Sequence, residues 1–295
     1  FTDATQAWLP ENSLPGLITD AEWISEDELA VIGTWMNPTI LRIENNSLVP
    51  TNEFDSIPAH GWWFSLVTAD WNQDGNNELL LGNVGENYRY SASTNSPFEL
   101  YAHDFDVNGS TDLLFGRYEN GKLYTVEERD RMYQQLPSIK RKYTDYASYA
   151  QATLPEMIDE TGFSQAKRFI AEEFHSLYVD RGKEGVSVRP LPAMAQLSAV
   201  RTVLTMDVNQ DGYLDAVVAG NLYKTETRTP RLDASVGLVM LGDGQGNFKP
   251  LTPRESGFYA SGDVRKIAKL RSPKGDLILV SNNNGPLQLF RLAAP

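Results

Sequence analysis

The chain has 295 residues, 41% hydrophobic and 22% charged, which is a globular balance with room for one large repeat domain or two ordinary ones. No stretch approaches the roughly 18 consecutive apolar residues of a membrane-spanning helix. A net charge of −13 and a pI near 4.7 leave no basic stripe to neutralise nucleic-acid phosphates.

Cysteine is absent, so core burial and bound ions must supply stability without disulfides. The histidines, His60, His103 and His175, lack any zinc-site spacing. The chain opens on Phe1 without a leader, which reads as a processed product or a piece of a longer one.

Up to about residue 55, Asp20-Ala21-Glu22-Trp23 reads as an acidic turn before a strand at Glu28–Gly33. A second strand follows at Thr39–Ile43, then a turn at Asn45-Asn46, making one blade-like unit with no ligand spacing. Residues 61–90 place strands at Trp63–Val67 and Glu78–Leu81 around an acidic loop, closed by Gly82-Asn83. Residues 98–125 repeat this plan from Phe98–Tyr101 through a second loop to Lys122–Val126. The two loops start 34 residues apart, at Asp70 and Asp104, which suits a supersecondary repeat.

Over 127–174 strand alternation stops, and a mostly helical insertion is expected between two β units. Ile139, Tyr143, Tyr146 and Ala150 fall on one helical face, with Ser138 as its N-cap; Phe163, Lys167, Ile170 and Phe174 suggest a further helix. The Lys140-Arg141-Lys142 run reads as a solvated face rather than a site for an anionic partner, and Tyr143, Tyr146 and Tyr149 as packing rather than sugar stacking. Strands resume at Ser176–Val179, Val186–Val188 and Val200–Met206 before a third loop. Gly242-Asp243-Gly244-Gln245-Gly246-Asn247 then reads as a glycine-rich β-turn, lacking the ending of a phosphate loop. The last unit, Gly262 to Phe290, again lacks the loop ligands.

The three loops are one phrase written three times. They read Asp70-Trp71-Asn72-Gln73-Asp74-Gly75-Asn76-Asn77-Glu78, Asp104-Phe105-Asp106-Val107-Asn108-Gly109-Ser110-Thr111-Asp112 and Asp207-Val208-Asn209-Gln210-Asp211-Gly212-Tyr213-Leu214-Asp215. Oxygen side chains at alternate positions, with a glycine for a sharp turn, are what a hard cation such as calcium requires. An EF-hand would need a bidentate Glu at the twelfth place and a helix after it; Leu81, Phe115 and Val218 stand there instead. The closing carboxylate comes at the ninth place and feeds an apolar strand, so the reading is a calcium loop between strands, with about three ions in all.

These loops, with Leu241–Phe248 closing a unit, resemble FG-GAP/VCBS repeats of integrin-alpha-like β-propellers. Further phrases, Gly82–Asn87, Arg231–Ser235, Glu255–Gly257 and Gly262–Arg265, resemble large exported VCBS-repeat proteins of Bacteroidetes related to the cartilage acidic protein family. The likeness spans most of residues 20–292. It implies an all-β fold, a β-propeller of four-stranded blades across 1–295 with the helical insertion at 127–174. About five blades fit, either closing by themselves or forming part of a seven-bladed ring.

It also implies calcium held by side chains at positions 1, 3, 5 and 9 and by the main-chain carbonyl at position 7. Those residues are Asp70, Asn72, Asp74, Asn76 and Glu78; Asp104, Asp106, Asn108, Ser110 and Asp112; and Asp207, Asn209, Asp211, Tyr213 and Asp215.

No motif brings acid, base and nucleophile together: there is no Gly-x-Ser-x-Gly and no His-Glu-x-x-His. The expected function is a non-catalytic binding or adhesion module recognising a protein or glycan, extracellular, at the cell surface or periplasmic. It could also be one part of a larger assembly. The alternative is a polysaccharide hydrolase or lyase using a propeller pocket.

Overall fold

The structure is a computed structural model and describes residues 1–9, 16–55, 57, 59–182, 185–225, 229–273 and 275–292. After a short helix α1 (Thr5–Trp8), β1 (Leu17–Trp23), β2 (Glu28–Met36), β3 (Thr39–Glu44) and β4 (Ser47–Pro50) form a meander, and β5 (Gly61–Trp62) pairs with the end of β2. Asp20–Trp23, expected as a turn, lies inside β1, because all four residues pair in register with residues 29–32 of β2; the turn is at 24–27 instead.

The chain continues with β6 (Ser65–Ala69), β7 (Glu78–Gly82), β8 (Phe98–His103), β9 (Asp112–Glu119) and β10 (Lys122–Thr125). Helices α2 (Arg129–Gln135), α3 (Pro137–Lys142), α4 (Tyr146–Gln151), α5 (Leu154–Met157) and α6 (Glu160–Gln165) follow. Then come β11 (Lys167–Ala171), β12 (Leu177–Gly182), β13 (Gly185–Pro190), β14 (Thr202–Met206), β15 (Asp215–Ala219), β16 (Leu238–Gly242) and β17 (Phe248–Leu251). The last strands are β18 (Val264–Leu270), β19 (Leu277–Asn282) and β20 (Gln288–Arg291).

All pairings between these strands are antiparallel, in sheets of five, four, four, four and three strands. The fold is therefore mostly β. The chain divides into two compact units, one of Phe1–Arg89 with Phe174–Pro295 and one of Tyr90–Glu173.

In the first unit, one sheet runs β13-β12-β7-β6, so the second unit is inserted between the second and third strands of that sheet. The same unit holds the β1–β5 and β14–β17 sheets, which flank this sheet, and the β18–β20 sheet, which follows the β14–β17 sheet. The first strands of these sheets are tied in sequence. Leu66 N–H donates to Asp20 Oδ2 at 3.0 Å, Ser65 Oγ to the Val200 carbonyl at 3.0 Å, and Ile267 N–H to Thr202 Oγ1 at 3.2 Å.

The cores lie between successive sheets, and strand alternation sends residues to both sides. Leu79 and Leu81 of β7 join Ile32 and Ile40, while Leu80 turns the other way to Trp71, Ala216 and Val218. Val217 and Ala219 of β15 turn again, to Val264, Ile267 and Val280. Strands buried on both faces read as unbroken apolar runs, which is why these segments carry no polar alternation. Gly82 lets the sheets close up: a Cβ there would stand 2.2 Å from both Ser65 Oγ and the Val200 carbonyl oxygen.

The second unit holds one sheet, in the order β10-β9-β8-β11, and its core joins Tyr101, Leu114 and Leu123 to Met132, Leu136, Ile139, Tyr149 and Leu154 from the helices. The expected helical stretch divides. Pro137 occupies the first turn of α3, so Leu136 and not Ser138 is its N-cap. The helix stops at Lys142, and Asp145 starts the next by accepting from Ser148 N–H at 2.8 Å.

Ile139 and Tyr149 are buried, Tyr146 is exposed under the Arg129 guanidinium, and Lys140–Lys142 face solvent. The helix expected through Lys167 and Ile170 is instead α6 followed by β11, because β8 has a free edge that this segment pairs along. Phe174 belongs to the first unit, its ring 4.9 Å from that of Trp62.

Candidate metal centres in the repeated loops

Each loop joins a pair of adjacent antiparallel strands: β6 to β7, β8 to β9 and β14 to β15. All three have the same backbone path. The fourth position is left-handed in each, with φ of 61° at Gln73, 59° at Val107 and 63° at Gln210. The sixth is a left-handed glycine, at 88°, 86° and 89° for Gly75, Gly109 and Gly212, a conformation a Cβ penalises. Holding three non-glycine residues at positive φ costs energy, and the loop's own hydrogen bonds offset it.

The first Asp orients that path. Gly75 N–H donates to Asp70 Oδ2 at 3.0 Å, Gly109 N–H to Asp104 Oδ2 at 2.8 Å and Gly212 N–H to Asp207 Oδ2 at 3.0 Å. Asn72 Oδ1 accepts from Asp74 N–H at 2.9 Å, and Asn209 Oδ1 from Asp211 N–H at 3.3 Å. The N–H groups of Asn76, Ser110 and Tyr213 donate to the side chains of Asp74, Asn108 and Asp211. The ninth-place carboxylate reaches back to the amide of the second residue: Glu78 to Trp71 at 2.8 Å, Asp112 to Phe105 at 3.1 Å and Asp215 to Val208 at 2.7 Å.

The loops differ in where their carboxylates meet. Oxygens of Asp70, Asp74 and Glu78 all lie within 4.8 Å of one another, as do those of Asp104, Asp106 and Asp112. These are the groups of acidic side chains among the described residues that could hold a metal ion; Asp207, Asp211 and Asp215 do not converge in this way.

A second observation separates them identically. Glu78 Oε1 and Asp106 Oδ1 are each shut off from solvent with no hydrogen-bond partner, while no carboxylate oxygen of the third loop is so placed. The Tyr178 hydroxyl is a donor close to Glu78 and works against the rise of its pKa, yet neither that hydroxyl nor Glu78 Oε1 completes a hydrogen bond of ordinary geometry. An orphaned carboxylate oxygen beside two further carboxylates fits a cation donor set, since buried polar groups otherwise find partners.

In the third loop both oxygens of Asp215 are engaged, Oδ2 by Val208 and Oδ1 by Gly242 N–H at 2.8 Å. That donor opens the Gly242–Asn247 hairpin, whose Asp243 accepts from the N–H groups of Gln245 and Asn247. The glycine-rich turn thus sits beside the third loop and draws on its carboxylate. Sequence spacing alone gave no sign of this, because Gly242 is 27 residues beyond Asp215.

In the terminal sheet, Asp276 precedes an apolar strand as Glu78 does, and pairs with Lys269 at 2.6 Å. In the first sheet, Asp20 accepts the Leu66 N–H.

Burial pushes the Glu78 carboxyl up to about 7, against the pull of the Trp71 and Asn72 N–H groups. Burial also raises Asp112, aided by Asp106 and Asp104, and raises Asp215, aided by Asp211 and Asp207. Without metal, the folded chain therefore keeps the Glu78 proton that the unfolded chain releases near 4.5. Stability in chelator should fall as pH rises from about 4.5 to 7, by on the order of 2 kcal/mol, and be flat above that. Urea melts at stepped pH would check this; a rise in stability over that window contradicts it.

No protein-family model matches the chain, and no curated protein matches it.

Proposed function

We propose that the chain is a calcium-stabilised, non-catalytic recognition module built on FG-GAP/VCBS-type repeats. The observation that carries this reading is the pair of convergent carboxylate clusters, each with an orphaned buried oxygen, on loops of identical backbone path. A divalent cation would satisfy those oxygens and relieve the repulsion of three like charges. Calcium suits the all-oxygen donors, flexible geometry and glycine-permitted turn. Glu78, Asp70 and Asp74 would hold one ion, Asp104, Asp106 and Asp112 another, with the carbonyls of Asn76 and Ser110 and the amides Asn72 and Asn108 completing the shells. The third loop would bind more weakly, since Gly242 competes for Asp215.

The sheet order supports a propeller-type arrangement. The strands β1, β6, β14 and β18 stand side by side in sequence, and Lys266 of β18 lies within electrostatic reach of Glu22 in β1. Low-affinity calcium loops of this class suit an extracellular, surface or periplasmic setting, with a protein or glycan as partner and further domains or subunits alongside. Calorimetric titration of the chelated chain should give two sites in the range of about 10⁻⁴–10⁻³ M. A chain that takes up no calcium there would remove the basis of the reading. Ligand capture on glycan and matrix-protein arrays, with and without calcium, then tests recognition itself; turnover of any arrayed glycan would replace recognition with catalysis.

A further inference from the structure

A second cluster stands at the opposite ends of β6 and β14 from their ion loops. Phe64, Arg201 and Asp263 occupy one register position, each the residue before the first strand of its sheet. The Arg201 guanidinium carbon lies over the Phe64 ring, 4.6 Å from its centre. Asp263 has its side chain wholly out of solvent; Oδ2 accepts from Arg265 Nη2 at 2.9 Å and Asn283 Nδ2 at 3.0 Å, and Oδ1 has no hydrogen-bond partner.

Arg265 is the extra residue of a bulge, since Val264 pairs with Asn282 and Lys266 with Ser281. A bulge re-aims the side chain it releases. The Ile267–Thr202 hydrogen bond fixes β18 against β14 one residue from Arg201 and two from Arg265. Two guanidiniums are thereby brought to one level beside one carboxylate.

Arg201 is the anomaly. Among the described residues its guanidinium has the Phe64 ring and no carboxylate or carbonyl hydrogen bond, although the side chain is half-buried. Burial, and then the charge of Arg265, lower its pKa, while Asp263 acts in the other direction. A guanidinium taken partly out of water without a hydrogen-bonding anion is costly, and its planar fork matches an oxyanion. The position is built for it: a Cβ at Gly220 would stand 2.4 Å from Arg201 N and 2.8 Å from its Cγ. Asn221, fully buried, donates to the carbonyls of Ser261 and Gly262 and so holds the approach to Asp263.

We propose that Arg201 and Arg265, floored by Phe64 and backed by Asp263, form a binding site for a carboxylate-bearing ligand. Two guanidiniums against one carboxylate leave a single positive charge, which balances a monoanion better than a doubly charged phosphate. With Arg201 held over Phe64, its guanidinium would donate to both oxygens of the ligand carboxylate in bidentate fashion. The site stands independently of whether the loops bind metal.

The test is calorimetric titration of the full chain with glucuronate, with glucose and inorganic phosphate as controls at matched ionic strength, in calcium and in chelator. Saturable glucuronate binding in either condition is expected, weakened roughly ten- to hundredfold by Arg201→Met and by Arg265→Gln. Ligand-free Arg201→Met should melt at or above the parent temperature, since it removes an unpaired charge. Absence of saturable binding, binding by either variant as tight as the parent's, or tighter phosphate binding overturns the proposal. So does a marked loss of ligand-free stability in Arg201→Met, which would make Arg201 structural.

Discussion

In excess chelator at neutral pH, each compact unit is expected to melt about 5–10 °C below its temperature in about 10 mM calcium. The two convergent clusters fall one in each unit, Glu78 in the first and Asp112 in the second. At a dissociation constant of about 10⁻⁴–10⁻³ M, that calcium concentration stabilises each by about 1.4–2.7 kcal/mol. Single substitutions should therefore act locally. Asp104→Asn is expected to abolish the calcium shift in the second unit, read by hydrogen exchange along β9, and leave that along β7 intact.

Glu78→Gln should do the reverse, with a change of sign between conditions. It lowers stability in calcium by removing a ligand, and raises it in chelator by removing a buried carboxylate whose charge burial opposes. Identical melting in calcium and chelator, or a Glu78→Gln chain destabilised equally in both, would count against ion binding at these loops.

The second large effect concerns packing. Leu79-Leu80-Leu81 and Leu113-Leu114-Phe115 occupy the same place after their loops, yet the structure treats them differently. Leu79, Leu80 and Leu81 are all fully buried, because β7 lies between two cores. On β9, Leu114 is fully buried but Leu113 is 46% exposed. Leu79→Ala, Leu80→Ala and Leu114→Ala should each cost about 2–5 kcal/mol in transfer energy and cavity. Leu113→Ala should cost about 0.5 kcal/mol or less. Denaturant melts of the four variants check this, and a Leu113→Ala loss matching that of Leu114→Ala would contradict the placement of β9.

Much of the candidate site was legible because its determinants are local. The spacing of oxygens and the glycine at the sixth place specify a tight turn whose amides point at the first Asp, and all three loops take that path. What the repeat could not show was that the third copy differs, since Gly242 arrives from another hairpin to occupy Asp215. Nor could it show Arg201 and Arg265 together, 64 positions apart and joined by the bulge in β18. The helical stretch was the least legible. Pro137, Asp145 and the free edge of β8 reset boundaries that apolar periodicity had placed elsewhere.

By itself the sequence determined the mostly β character, the turn chemistry of the loops and the strands that follow them, because each depends on residues a few positions apart. The tertiary structure alone decided that residues 90–173 form a separate compact unit, which acidic clusters converge, and which leucines are shielded on both faces. Those depend on which sheet comes to lie against which, and that is fixed by burial summed over distant segments rather than by any one stretch.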